Sequence, residues 1–292
     1  MSFDNRPIRN RPFISFAIPS SIVSEAPDLR EKTRKLGYVS RAAAIFRIEE
    51  ILIYRDDTVE NEELVYNILT YQEVPPYLKK RLIPYSPLLR YAGILPPLKT
   101  PHHVYPNVFD TVFREGVVDR ITGRGSIIDI GLDKPGLVLY KKLAIGSRVT
   151  VKIVDEVNSY YIVDLISRDE VDIYWGYRVS RFSSMSNMLS YAIERYDLII
   201  GATKKGELIY RIENELTKSL LKSINILIIF GGPRDDIDEI AKKENIDLSH
   251  YCSYFINFVP RQGVESIRTE EAIFAVLSIL NYLKEKTLSR NR

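Results

Sequence analysis

With 292 residues, 45% of them hydrophobic, and 41 Lys and Arg against 38 Asp and Glu, the chain can bury one large core or two smaller ones and carries a net charge of only +3. Charge this small does not by itself mark a nucleic-acid binder, no run reaches the eighteen or so apolar residues of a membrane span, and Met-Ser-Phe-Asp-Asn-Arg-Pro lacks the apolar core of a signal peptide. A single cysteine, Cys252, excludes an internal disulfide and a cysteine-built zinc site, so a reducing, cytoplasmic compartment is expected, with Cys252 as a small core residue.

In chain order, residues 14–18 predict a buried strand stopped by Pro19, and Ser20 or Ser21 can cap a first turn. Pro27 opens a helix over residues 29–46, with Gly37 as its expected break. Residues 50–54 predict a second strand, and residues 61–72 an amphipathic helix with Leu64, Ile68 and Tyr71 on one face. Eight of the fifteen prolines fall between Pro75 and Pro106, which excludes a long helix and predicts short turns near residues 77–82 and 88–91.

Charge is unevenly distributed. Residues 5–24 hold Arg6, Arg9 and Arg11 and no acid, and residues 74–109 hold Lys79, Lys80, Arg81, Arg90 and Lys99, again without an acid. The second stretch interleaves Tyr77, Tyr85, Tyr91, Tyr105, His102 and His103 with the cations, a mixture that neutralises phosphates and stacks on bases. A proline-rich surface loop has the same composition, and both readings stay open.

Residues 112–165 contain five short apolar runs separated by glycine-bearing turns, the pattern of a small barrel resembling an OB fold inserted in a loop. Nine basic and eleven acidic residues between Pro101 and Asp172 argue against a uniformly basic surface. An RNA-binding face on it is expected at Arg120, Arg124, Lys134, Lys141, Lys142 and Arg148, with Tyr140 stacking; a spacer or dimer-packing module is the alternative. Residues 173–179 then predict a returning strand, residues 184–193 a helix, and apolar runs end at Thr203 and Phe230 with a helix near residues 214–223 between them. A short helix over 235–243, a strand over 254–258 and a last helix over 269–286, capped by the Thr269 hydroxyl, complete the chain.

Three of these strand ends carry glycine: Gly-Ala-Thr-Lys-Lys-Gly at 201–206, Ile-Phe-Gly-Gly-Pro at 229–233, and Gln-Gly-Val-Glu-Ser-Ile-Arg-Thr-Glu-Glu-Ala at 262–272. Ligands of open α/β sheets settle outside the carboxyl ends of strands, so the three predict one shared cavity. They also resemble the three loops of the SPOUT methyltransferases. With residues 40–50, Ser-Arg-Ala-Ala-Ala-Ile-Phe-Arg-Ile-Glu-Glu, and residues 174–177, Tyr-Trp-Gly-Tyr, they are similar to the archaeal and eukaryotic RNA methyltransferase subfamily that carries an inserted β domain.

The resemblance spans nearly the whole chain and implies an α/β fold: a knotted, Rossmann-like domain from residues 1–100 and 173–292, interrupted by an OB-like barrel over 101–172. It implies S-adenosylmethionine as donor, ribosomal or transfer RNA as substrate, and a homodimer that completes each active site across two subunits. Cofactor contacts are expected at Thr203, Phe230, Gly231, Gly232, Pro233, Pro260, Gln262, Gly263, Ile267, Thr269 and Ala272, and catalytic roles at Arg41, Arg268 and Glu265. Transfer from a sulfonium is a one-step displacement that needs alignment and no metal. A non-catalytic RNA-binding or ribosome-assembly protein, or a protein methyltransferase, would share the fold.

Overall fold

Strand β1 (Phe13–Pro19) is buried at every position after the first, as a strand covered on both faces must be. The computed structural model describes residues 7–103 and 112–290, with side chains described as far as residue 286; Arg6 and Tyr105 of the basic stretches lie outside the described residues. Helix α1 (Leu29–Ile45) starts on Asp28, whose carboxylate accepts the Glu31 amide at 2.9 Å. Gly37 does not break it. The glycine is buried in continuous helix where a Cβ would meet Pro96 Cδ at 3.0 Å, so it serves close packing.

Strand β2 (Glu50–Tyr54), α2 (Val59–Glu73) and the single turn α3 (Lys79–Leu82) follow. Five strands come next, β3 (Phe113–Thr122), β4 (Gly125–Asp129), β5 (Gly136–Leu139), β6 (Arg148–Val157) and β7 (Tyr160–Ile166). The chain continues through β8 (Arg178–Phe182), α4 (Met185–Ile193), β9 (Leu198–Leu208), α5 (Ile209–Lys222), β10 (Asn225–Phe230), α6 (Ile237–Lys243), β11 (Tyr254–Asn257) and α7 (Thr269–Arg290). The returning strand therefore begins at Arg178. Apart from a bridge between Ile173 and Ile8, residues 173–177 are not strand, because Tyr174, Trp175 and Tyr177 are buried as separate packing anchors.

The chain forms two compact units. The larger, Asn10–Thr70 with Leu88–Pro96 and Tyr177–Arg292, is built on a six-stranded parallel sheet in the order β11-β9-β10-β1-β2-β8. One face packs Met185, Met188 and Leu189 of α4 and Ile237 and Ile240 of α6 against Leu52, Leu227 and Ile229, and Cys252 belongs to the same cluster. Burial pushes its thiol up to about 12, which keeps it protonated and unreactive. Helices α1 and α5 pack on α7. Among the described residues no helix is long and apolar enough to cross a membrane.

The smaller unit takes in residues up to Arg9, Tyr71–Pro87 and Pro97–Gly176. Its strands close into a barrel in the order β3-β4-β5-β7-β6, filled by Val118, Ile128, Ile130, Val138, Val151 and Val163. Beside the barrel core lies an ionic network. Arg148 donates to Glu73 at 2.6 and 3.1 Å and to Glu115, Arg168 donates to Glu73 at 3.1 Å, and the Trp175 indole donates to Glu115 at 2.6 Å. Glu73 and Glu115 are 4% and 2% exposed. Burial alone would raise both carboxyls, but Arg148 and Arg168 hold them below their ordinary values. His102 and His103 are buried here with ring nitrogens 2.9 and 2.8 Å from the Glu73 carbonyl oxygen, and burial pushes His103 down to about 3, leaving it neutral.

Candidate active site

The site grows from an irregularity in β9. Its residues 198–202 pair in register with β10, and Tyr254 and Phe255 of β11 pair with Ile200 and Gly201; the next two, Ile256 and Asn257, pair with Glu207 and Leu208. Residues 202–206 are thus skipped in the ladder with β11, as in a long bulge, while Ala202 still pairs with Phe230 of β10. The strand does not end at Thr203; it resumes after Gly206. A Cβ on Gly206 would lie 2.5 Å from the Phe255 carbonyl carbon and the Ile256 nitrogen, so only glycine lets the bulge close against β11. Asn257 Nδ2 donates to the Lys204 carbonyl at 2.9 Å and fixes the bulge from the other side.

The bulge, the turn after β10, the loop after β11 and the first turns of α7 enclose a cavity of about 300 Å³, at the lower end of small-molecule sites. Its walls mix apolar Ala202, Phe230, Ile256, Phe258, Ile267 and Val276 with the backbone of Gly231 and Gly232. Two side chains hold that glycine turn, one from outside the cavity and one from its wall. The buried Tyr54 hydroxyl donates to the Phe230 carbonyl at 2.6 Å, and Thr269 donates to the Gly231 carbonyl at 3.0 Å. Gly232 backs onto Ser21, whose Oγ would be 2.5 Å from a Cβ there and itself donates to Asp56 at 2.6 Å. Burial raises the Asp56 carboxyl, against the opposing effect of its bonds from Ser20 and Ser21.

Nine of the eleven expected cofactor residues line this cavity: Thr203, Phe230, Gly231, Gly232, Pro233, Gln262, Ile267, Thr269 and Ala272. Pro260 and Gly263 are not among the lining residues. Gln262 closes its own loop, donating to the Val264 and Glu265 carbonyls at 2.9 and 3.0 Å. Glu265 and Arg268 are exposed in the loop between lining residues, and Arg41 is half-buried on α1; none of the three lines the cavity. Sequence reasoning missed Lys204, Lys205, Arg234, Asp236, Glu239 and Asn257, whose only signal was position within or beside the glycine loops. It had no route to Tyr54.

The cations expected to meet RNA are scattered and partly engaged. Lys79 is half-buried over the Tyr71 ring at 3.9 Å and burial pushes it down to about 8, while Lys80 is exposed. Arg81 pairs with Asp119 and with Asp129 at 3.0 Å, Arg120 with Asp119 at 2.7 Å, and Arg90 stacks on Tyr91 at 5.5 Å. Lys134 pairs with Glu156, and Arg148 belongs to the Glu73 network. Arg124, Lys141 and Lys142 are exposed, and Tyr140 beside them is 91% exposed with a left-handed φ of 58°. Among the described residues no group of three or more His, Cys, Asp or Glu could hold a metal ion.

Residues 13–280 match the family model described as "Putative RNA methyltransferase". The chain belongs to this RNA methyltransferase family. The 28S rRNA (uridine-N(3))-methyltransferases of Mus musculus and Homo sapiens are each 32% identical to it over 305 residues, covering 93% of this chain and 77% and 79% of theirs. Among solved structures, the SpoU methyltransferase AviRb of Streptomyces viridochromogenes, in complex with AdoMet, aligns with a TM-score of 0.42 and 8% identity, over 96% of this chain and 61% of that one.

An RNA methyltransferase takes its methyl group from S-adenosylmethionine, and the cavity suits such a donor. Apolar side chains offer a slot for a flat heterocycle, and bare glycine backbone offers polar groups at close range. Because Tyr54 fixes the carbonyl that starts the glycine turn, Tyr54→Phe leaves a buried acceptor unpaired and is expected to cost about 1–3 kcal/mol. Thermal unfolding should record that loss, and calorimetry a weaker donor affinity in the same variant.

Proposed function

We propose that this RNA methyltransferase acts on ribosomal RNA at N3 of a uridine, with S-adenosylmethionine held by Thr203, Phe230, Gly231, Gly232, Ile267, Thr269 and their neighbours. The observation that carries the reading is the convergence of the three glycine loops on one cavity in a chain 32% identical to the mouse and human uridine-N3 enzymes. When bound, the donor supplies a methyl carbon already activated by its sulfonium. The chain's residues must align the base and take the proton that N3 releases. Glu265 is the proposed acceptor, since its exposed carboxylate stands in the third loop beside the cavity-lining Ser266 and Ile267. Arg268 is proposed to orient the nucleotide through its guanidinium fork.

The proposal includes a knotted, SPOUT-type larger unit, and an OB-like reading of the barrel, which its five-stranded closure supports. It also includes a homodimer. Tyr38, Ile45 and Tyr282 are 52%, 46% and 61% exposed on the packed helices α1 and α7, and Arg41 shares the Tyr38–Ile45 face by helical spacing. A second copy covering that face would bring Arg41 toward the partner's site. The test is incubation of the full chain with methyl-labelled donor and large-subunit ribosomal RNA, then digestion to nucleosides. Label in 3-methyluridine is expected. Label in another nucleoside contradicts the uridine assignment, and label in protein alone contradicts the RNA reading.

A further inference from the structure

We propose that Lys204, Arg234 and Arg261 form a docking site for the sugar-phosphate backbone of the RNA strand at the mouth of the cavity. The inference rests on the RNA-substrate reading and names the chemistry that brings the strand to the site. Strands β11, β9 and β10 are neighbours in the sheet, and each contributes one of these cations: Lys204 in the bulge of β9, Arg234 in the turn after β10, Arg261 in the loop after β11. Lys204 and Arg234 line the cavity, and Arg261 immediately precedes the lining residue Gln262. All three are exposed.

Charge accounting around the cavity separates these three from their neighbours. Lys205 is held by Asp238 and Glu239 at 3.0 and 3.2 Å, and Lys243 by Asp235, so the carboxylates around the start of α6 are engaged by other lysines. Asp236 accepts from Thr203 and from the Ile237 amide. Among the described residues, the side chains of Lys204, Arg234 and Arg261 have no ion pair, hydrogen bond or ring contact. Two of the three are fixed at the backbone: Lys204 through its carbonyl bond from Asn257, and Arg261 in a left-handed conformation with φ 57°, which a non-glycine residue adopts rarely.

The donor does not account for them. S-adenosylmethionine carries one carboxylate against an ammonium and a sulfonium, so it cannot neutralise three further cations. A phosphodiester backbone supplies one negative charge per nucleotide and can do so. The segment over 79–81, by contrast, has Lys79 half-buried and Arg81 held by two aspartates.

The test measures binding of a short fluorescein-labelled oligouridylate to the full chain by anisotropy, between about 50 and 200 mM salt. Each cation removed should flatten the plot of log affinity against log salt by about 0.7, so the combined Lys204→Gln, Arg234→Gln, Arg261→Asn variant should lose about 2 in slope. Asparagine at 261 keeps a residue that tolerates left-handed backbone. Should the triple variant misfold, Arg234→Gln alone keeps the test, with an expected change of about 0.7. An unchanged slope overturns the docking site, and a flatter slope in Lys141→Gln, Lys142→Gln instead transfers docking to the barrel. If wild-type protein places no methyl group on RNA, the RNA reading itself fails; if it does and the slope holds, only the docking site fails.

Discussion

Arg148→Met is expected to destabilise the smaller unit by about 3 kcal/mol or more, because it removes the guanidinium shared by two buried carboxylates and leaves only Arg168, which bonds Glu73 alone of the two. Glu73 and Glu115 are buried, and Arg148 contacts both. Their stabilising contribution in the wild type has a definite sign. Each folded pKa is depressed, so the contribution is present above the ordinary carboxylate range and lost as pH falls through the lowered folded values. In the variant Glu73 keeps Arg168 while Glu115 loses its arginine hydrogen bond, so burial favours protonation of Glu115 and the penalty relative to wild type should be larger at neutral pH than near pH 4. Urea unfolding at the two pH values measures this; an equal penalty at both would contradict it. Adding Glu73→Gln and Glu115→Gln to the variant should recover part of the neutral-pH loss.

Gly206→Val carries the second large effect and acts on the active site. Its Cβ would press on the backbone of β11, which cannot swing aside as a flexible side chain could. The register shift that skips residues 202–206 depends on that approach, and without it Thr203 and Lys204 leave their places in the cavity wall. A stability loss of about 3 kcal/mol is expected, with donor affinity reduced beyond calorimetric detection. Gly263→Ala is the matched control. Nothing lies within 4 Å of a Cβ there, so the change should stay within about 0.5 kcal/mol. If both variants bind donor as wild type does, the bulge does not shape the site.

Much of this was legible in the sequence, and the failures share a cause. Glu50–Tyr54 was predicted to the residue, because a buried parallel strand is a continuous apolar run with a marked end. The three glycine loops were found because each interrupts such a run. Local pattern ends β9 at Thr203, since it registers the polar bulge and cannot show that Ile256 and Asn257 pair beyond it. Residues 173–177 have strand composition, yet Trp175 is committed to Glu115, sixty residues away. Arg81 stands in an acid-free segment, and its partners Asp119 and Asp129 are 38 and 48 residues distant. Likewise Tyr54 reaches Phe230 across 176 residues. Apolar periodicity is local, whereas the pairing of polar groups is tertiary.

Ultraviolet crosslinking of methyl-labelled S-adenosylmethionine to the full chain, followed by peptide mapping, tests most directly whether the cavity holds the donor. Label is predicted on peptides covering residues 198–208, 225–236 or 254–276. Label confined to the barrel strands between residues 113 and 166, or a chain that takes up no label, would contradict the assignment.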